Sequence, residues 1–212
     1  MNDDTIADSR RMLELMEATR RKTVRQLTRR YALLFVVWAV AWAVGFFALW
    51  ITSGVGALDI LPPAAGWVIF IMALAVAVVW STVVGIRAAN DGISGRSQLQ
   101  GALYGNAWTV SMIAAWLLIL GLQRNGLPDD LAQLLYPAIY VFLVGVLYLA
   151  GGALWRAVPM FVLGVILIVV AVVATFIGTP THYLVYATVG PAAMLVVAAL
   201  MLWGPRRVRE SA

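Results

Sequence analysis

Six long apolar stretches separated by short polar segments dominate the sequence after residue 30. They cover residues 31–52, 65–87, 101–122, 131–153, 158–177 and 183–203. A bilayer core about 30 Å thick is crossed by a helix of about 20 mostly apolar residues. Because lipid cannot satisfy exposed backbone N–H and C=O groups, each stretch should be a helix that pairs its own backbone. The pattern therefore predicts an all-α, polytopic membrane protein with six transmembrane helices in residues 31–204.

The first thirty residues carry a different pattern. Acidic residues lie in the first half of this segment and most basic residues in the second, beside a rough apolar stripe. We interpret residues 1–30 as an amphipathic, basic cytoplasmic helix. It either lies on the membrane surface, as basic amphipathic helices do, or docks a cytoplasmic protein partner. The acidic half is not needed for a role on the membrane alone, so partner docking remains open.

The distribution of positive charge predicts the orientation. Cytoplasmic loops of membrane proteins are enriched in Lys and Arg. With the N-terminus inside, 14 of the 15 basic residues fall on the cytoplasmic side and only Arg124 falls outside. Both termini, including a basic tail at residues 205–212, are therefore predicted to be cytoplasmic. The net charge of +5 is explained by this rule and by anionic lipid headgroups, without a nucleic-acid partner.

Composition narrows the functional classes. Only 12% of the 212 residues are charged, and the loops are too short for a soluble domain of about 50 residues. No cysteine is present, which excludes disulfides and thiolate metal sites. No Asp, Glu, Lys or Arg lies well inside a span, whereas proton-coupled transporters usually place an ionisable group there. We find no acid, base or metal constellation, and we predict a protein that is not an enzyme and has no cofactor or metal.

The chain partly matches itself when it is shifted by 66 residues. The match relates residues 35–87 to residues 101–153, and residues 158–203 repeat the same layout. We therefore predict three helical hairpins, of which the first two are internal repeats; chance similarity in an Ala- and Val-rich chain is the alternative. The least common residues carry the match: Trp42 falls on Trp108, Trp50 on Trp116 and Pro62 on Pro128.

Two of these tryptophans suggest a ligand site. Trp42 and Trp108 lie eight residues before their interfacial partners, so they are about 12 Å deeper in the membrane. Deep tryptophans either pack between helices or form an aromatic wall for a ligand. In the second case the cavity should be bounded by Trp42, Asn106, Trp108 and Tyr148, and the lack of buried charge predicts a neutral or apolar small molecule.

Small residues predict where helices approach each other. Gly101, Gly105 and Thr109 share one face of the third span, and such a seam allows close backbone contact. We expect this seam to touch another helix inside the bundle. Gly145 and Gly152 are predicted close-approach points of the fourth span. The single histidine, His182, is expected at the membrane interface, because it has no second ligand for a metal.

The segment from residue 146 to residue 155, VLYLAGGALW, and the loop GLPDD at residues 126–130 provide a resemblance. The chain resembles uncharacterised small six-helix integral membrane proteins of high-GC Gram-positive bacteria. The resemblance implies a bacterial inner (plasma) membrane location and no particular activity. Two functions remain open: a non-enzymatic sensor, scaffold or regulatory module with a cytoplasmic partner, or the membrane subunit of a transporter that binds a neutral or apolar molecule and is energised by a separate ATPase.

Overall fold

The computed structural model describes residues 3–54, 62–90 and 96–203. Over those ranges the chain is all-helical, without strands, and each helix includes a segment long and apolar enough to cross a membrane. The protein is therefore a multi-pass membrane protein, as its hydropathy pattern predicts. The helices are α1 (Asp3–Ile51), α2 (Pro63–Asn90), α3 (Arg96–Arg124), α4 (Asp129–Leu154), α5 (Val158–Ile177) and α6 (Thr181–Trp203).

The first helix is much longer than a membrane span. α1 has 49 residues, about 73 Å at 1.5 Å per residue, whereas its apolar part, Thr28–Ile51, has 24 residues. The sequence predicts a separate helix at residues 1–30 followed by a span from residue 31, but the helix runs through this boundary without a break. The predicted basic tail at residues 205–212 lies outside the described residues.

The helices pack as an open series in the order α2, α1, α6, α5, α4, α3. α1 packs on α2, α3 on α4, α4 on α5 and α5 on α6, and α6 also packs on α1. Only α2 and α3, although consecutive in the chain, lack an extensive interface with each other. Both are lightly buried compared with the other four. We call the gap between them the α2–α3 seam.

The hydrophobic core of the bundle includes a regular stripe of buried residues on α1. The buried positions recur at alternating intervals of three and four residues, which places them on one helix face. This face packs with buried residues of α4, α5 and α6 in a single cluster, and most of its residues are alanine or aromatic. Its members are Ala32, Phe35, Ala39, Trp42, Phe46 and Leu49.

Glycines set the closest helix contacts. A Cβ built on Gly145 of α4 would lie 2.9 Å from the carbonyl oxygen of Gly164 of α5, and one on Gly152 would lie 2.6 Å from the backbone nitrogen of Phe161. Backbones at this distance leave no room for a side chain. The two glycines that we predicted as close-approach points of the fourth span therefore lie directly in the α4–α5 interface.

α1, α3 and α5 end, and α2, α4 and α6 begin, at the same end of the bundle, which we call the far end. Three prolines stand immediately before the helices that start there, Pro62 before α2, Pro128 before α4 and Pro180 before α6. Proline fits the start of a helix because its missing N–H would have no intrahelical partner there.

Candidate functional site

The four residues predicted to bound one membrane cavity are dispersed. Trp42 is 5% exposed and belongs to the core. Its ring lies against α6, because a Cβ built on Gly190 would be 2.9 Å from Trp42 Cε3. It meets Phe46 edge-on, with the ring centroids 5.7 Å apart. These contacts account for the deep tryptophan as interhelical packing.

Trp108 and Tyr148 are brought together, but as a packed pair. Their rings meet at 5.5 Å in a T-shaped arrangement. Tyr104 stands beside them, 6.2 Å from Trp108, and its hydroxyl donates a 2.6 Å hydrogen bond to the Leu147 carbonyl. Phe35 of α1 continues the series, 5.8 Å from Tyr148. This series of aromatic rings links α3, α4 and α1.

Asn106 lies on another face of α3. It is exposed, whereas Trp108, two positions further, is partly buried. Residues two apart on a helix point about 200° apart, so Asn106 points away from the face of α3 that carries Trp108. The structure thus brings Trp108 and Tyr148 together and leaves Asn106 on another face of α3, and the ligand-binding role of the four residues stays a prediction.

The small-residue face of α3 also contacts no other helix among the described residues. Gly101, Gly105 and Thr109 are exposed, and a Cβ built on either glycine would meet nothing within 4 Å. The expected contact with another helix is wrong, because α3 turns its aromatic face towards α4 instead. The spacing of Gly101, Gly105 and Thr109 showed that they share one helix face. It could not show which face of α3 packs on a neighbouring helix.

His182 lies in the first turn of α6, at the far end, and its side chain is 0% exposed. It packs on Tyr183 and Tyr186. Its expected depth at the membrane interface stays a prediction. A second histidine or carboxylate that would complete a metal site is absent, since the described residues contain no group of three metal-ligating side chains.

The structure shows an open cleft at the far end that sequence reasoning missed. It has a volume of about 250 Å³ and lies where the start of α2, the end of α3 and the start of α4 meet. We call it the far-end cleft. Its wall combines two aromatic rings, two amides and one carboxylate; the lining residues are Trp67, Gln123, Asp129, Ala132, Gln133 and Tyr136.

Most of the cleft wall comes from one face of α4. Asp129, Ala132, Gln133 and Tyr136 follow the i, i+3, i+4, i+7 spacing of a helix face. The Tyr136 hydroxyl donates to Gln123 Oε1 at 3.0 Å, which ties this face to α3. A polar stripe at the start of an otherwise apolar helix was the signal available in the sequence. Trp67 gave none, because an interfacial tryptophan is ordinary.

Comparison of the chain with known protein families, with curated proteins and with solved structures finds no match. The function is therefore inferred from the residues of this chain alone.

Proposed function

We propose that this protein is a non-enzymatic regulatory module of a bacterial plasma membrane, which receives a cytoplasmic partner on the N-terminal part of α1. The observation that carries the proposal is the continuity of α1 from Asp3 to Ile51. The same helix extends well beyond the membrane and supplies the central stripe of the core.

A continuous helix connects the two regions mechanically. Residues preceding the apolar segment Thr28–Ile51 extend α1 by about 37 Å at 1.5 Å per residue. Within the membrane, Trp42 of α1 is held against Gly190 of α6. Binding that tilts or rotates the extension therefore displaces a packed tryptophan, because a helix without a kink moves as a unit. We infer that partner binding alters the α1–α6 interface.

The extension carries an exposed apolar patch. Met12, Leu15 and Met16 are 68%, 64% and 67% exposed and follow the i, i+3, i+4 spacing of one helix face. Helices of this kind are commonly bound in an apolar groove of a partner, and flexible methionines suit such grooves. We propose that a soluble protein with a groove of this type binds the patch.

Charge argues against a second copy of the chain in that role. Two copies in one membrane would align their α1 extensions in parallel, acidic half beside acidic half and basic half beside basic half. Like charges side by side on neighbouring helices are unfavourable. A soluble partner is free to approach in the opposite direction and to present complementary charge.

The arrangement in the membrane belongs to the same proposal. We propose that α1–α2, α3–α4 and α5–α6 are three hairpins, that the first two arose by duplication, and that both termini are cytoplasmic. The 14-to-1 distribution of basic residues supports the orientation. The positions of Pro62 and Pro128, each directly before the second helix of its pair, support the repeat.

The partner test uses a photo-crosslinking amino acid placed at Met12 in the full-length protein in cells, with Ser53 at the far end as the control position. We expect one cytoplasmic protein to be captured from position 12 and not from position 53. The double variant Met12→Glu, Met16→Glu should abolish capture, while Leu99→Glu, an equally exposed leucine on α3, should leave it intact. Equal capture in all variants would contradict the proposal.

A transporter subunit is the second candidate, and the α2–α3 seam is the observation that favours it. The two helices have no extensive contact with each other, and such a gap would give a ligand in the lipid a lateral approach to the bundle. The crosslinking experiment separates the candidates by the captured protein: an ATPase supports transport, and a protein without ATPase activity supports regulation.

A further inference from the structure

We propose that the far-end cleft binds a small alkylammonium cation. The proposal concerns the end of the molecule opposite the α1 extension, and it does not depend on the cytoplasmic partner. It rests on the combination of charge, aromatic surface, hydrogen-bond acceptors and size that the cavity lining presents.

The charge of the cleft selects for a cation. Asp129 is the one charged residue of the lining, which contains no Lys or Arg. Among the residues that the structure describes, Asp129 has no ion-pair partner. A ligand with a positive charge would be attracted to this carboxylate, whereas an anion would be repelled by it.

The aromatic residues select an organic cation over a bare metal ion. Trp67 is 40% exposed, and Trp67 and Tyr136 both line the cleft. The face of an indole attracts an ammonium or alkylammonium group, and the attraction is stronger where water is excluded. A divalent metal would instead need several oxygen ligands around it.

The amides complete the recognition surface. Gln123 Oε1 is held in place by the hydrogen bond from Tyr136, 3.0 Å long, and a carbonyl oxygen has a second lone pair that remains able to accept. Gln133 lies one helical turn after Asp129 on α4 and lines the same cavity. These groups accept hydrogen bonds from the N–H or polarised C–H groups that surround a cationic nitrogen.

The size of the cleft limits the ligand. A volume of about 250 Å³ is below the roughly 300–1,000 Å³ typical of sites for drug-sized molecules. A single quaternary or primary ammonium group with a short substituent fits this range. Choline is a suitable probe, and 3,3-dimethyl-1-butanol, which has the same shape without the charge, is its neutral control.

The test is calorimetric titration of the purified full-length protein with choline and, separately, with 3,3-dimethyl-1-butanol. We expect saturable choline binding with a dissociation constant between about 0.1 and 10 mM, in line with one exposed charge and one aromatic contact, and no measurable binding of the alcohol. Asp129→Asn should weaken choline binding at least tenfold. Asp130→Asn removes the neighbouring carboxylate, which does not line the cleft, and should leave binding unchanged.

A second pair of variants tests the aromatic contact. Trp67→Leu should abolish measurable choline binding and Trp67→Phe should retain part of it, because the benzene ring attracts cations less strongly than indole. Trp116→Leu, an exposed tryptophan of α3 outside the cleft, should bind as wild type. Thermal unfolding of each variant establishes that it is folded.

Three outcomes would overturn the proposal. The first is equal binding of choline and its neutral isostere, which would indicate an apolar site. The second is an equal effect of Asp129→Asn and Asp130→Asn, which would indicate general surface charge. The third is no saturable binding of choline by the folded wild-type protein at concentrations up to about 100 mM, ten times the weak end of the expected range.

Discussion

At the scale of single residues, the environment of a glycine decides its role. Gly190 and Gly105 both lie inside apolar helices, yet a Cβ on Gly190 would meet the Trp42 ring at 2.9 Å while one on Gly105 would meet nothing within 4 Å. Both residues lie in predicted spans, but spacing singled out Gly105 as a helix contact and made no prediction for Gly190. Depth follows from position along a span, but the direction a residue faces depends on which helix becomes its neighbour.

The two glycines form a matched pair for mutation. Gly190→Val should destabilise the protein by roughly 1–3 kcal/mol, because the added atoms overlap a packed tryptophan and force it to move. Gly105→Val introduces the same side chain on an open helix face and should have a much smaller effect. Thermal unfolding of both variants in the same detergent checks this. A larger loss for Gly105→Val would show that this face packs on something in the native protein.

At the scale of elements, three of the interfaces illustrate two kinds of contact. The α4–α5 and α1–α6 interfaces bring glycines close to the neighbouring helix, whereas α3 reaches α4 with long aromatic side chains and their hydroxyl groups. Tyr104 donates to the Leu147 carbonyl and Tyr140 to the Met112 carbonyl, at 2.6 and 3.3 Å. Within the described residues α3 has an extensive interface with α4 alone, and this explains why α3 is lightly buried.

Removing one hydroxyl should therefore loosen α3 selectively. Tyr104→Phe keeps the ring contacts with Trp108 and Trp155 and deletes only the hydrogen bond to α4. We expect a loss of about 0.5–1.5 kcal/mol, typical of one interhelical hydrogen bond in a membrane. Tyr31→Phe, at an exposed tyrosine of α1, is the control. If both variants unfold at the same temperature as wild type, the hydroxyl does not hold α3 in place.

Element positions were largely predictable, and element neighbours were not. Each of the six predicted spans lies within one helix of the structure or overlaps it closely, because hydropathy and length determine whether a segment crosses a bilayer. Which spans touch depends on shape and hydrogen bonding, since lipid is as apolar as leucine and favours no particular pair. The far-end cleft depends on three such neighbours and could not be located from any one segment.

At the scale of the whole molecule, the absence of cysteine makes the orientation directly testable. Single cysteines at Met12 and Ser53, both exposed positions at opposite ends of α1, report one side of the membrane each. We expect a membrane-impermeant maleimide added to intact cells to label Ser53→Cys, and Met12→Cys to be labelled only after the membrane is opened. The reverse pattern would show that the N-terminus is outside, contrary to the distribution of basic residues.

The packing of α1, the first helix, on α6, the last, has a consequence for synthesis. Trp42 and the Gly190 that it packs against are separated by most of the chain, and at about 5–20 residues per second a ribosome takes roughly 7–30 s to make the intervening segment. During that interval the newly inserted α1 has no α6, and its face with Phe35, Trp42 and Phe46 lies against lipid or against whatever assists insertion. The buried face of α1 is thus without its α6 partner for most of the time that the chain takes to be synthesised.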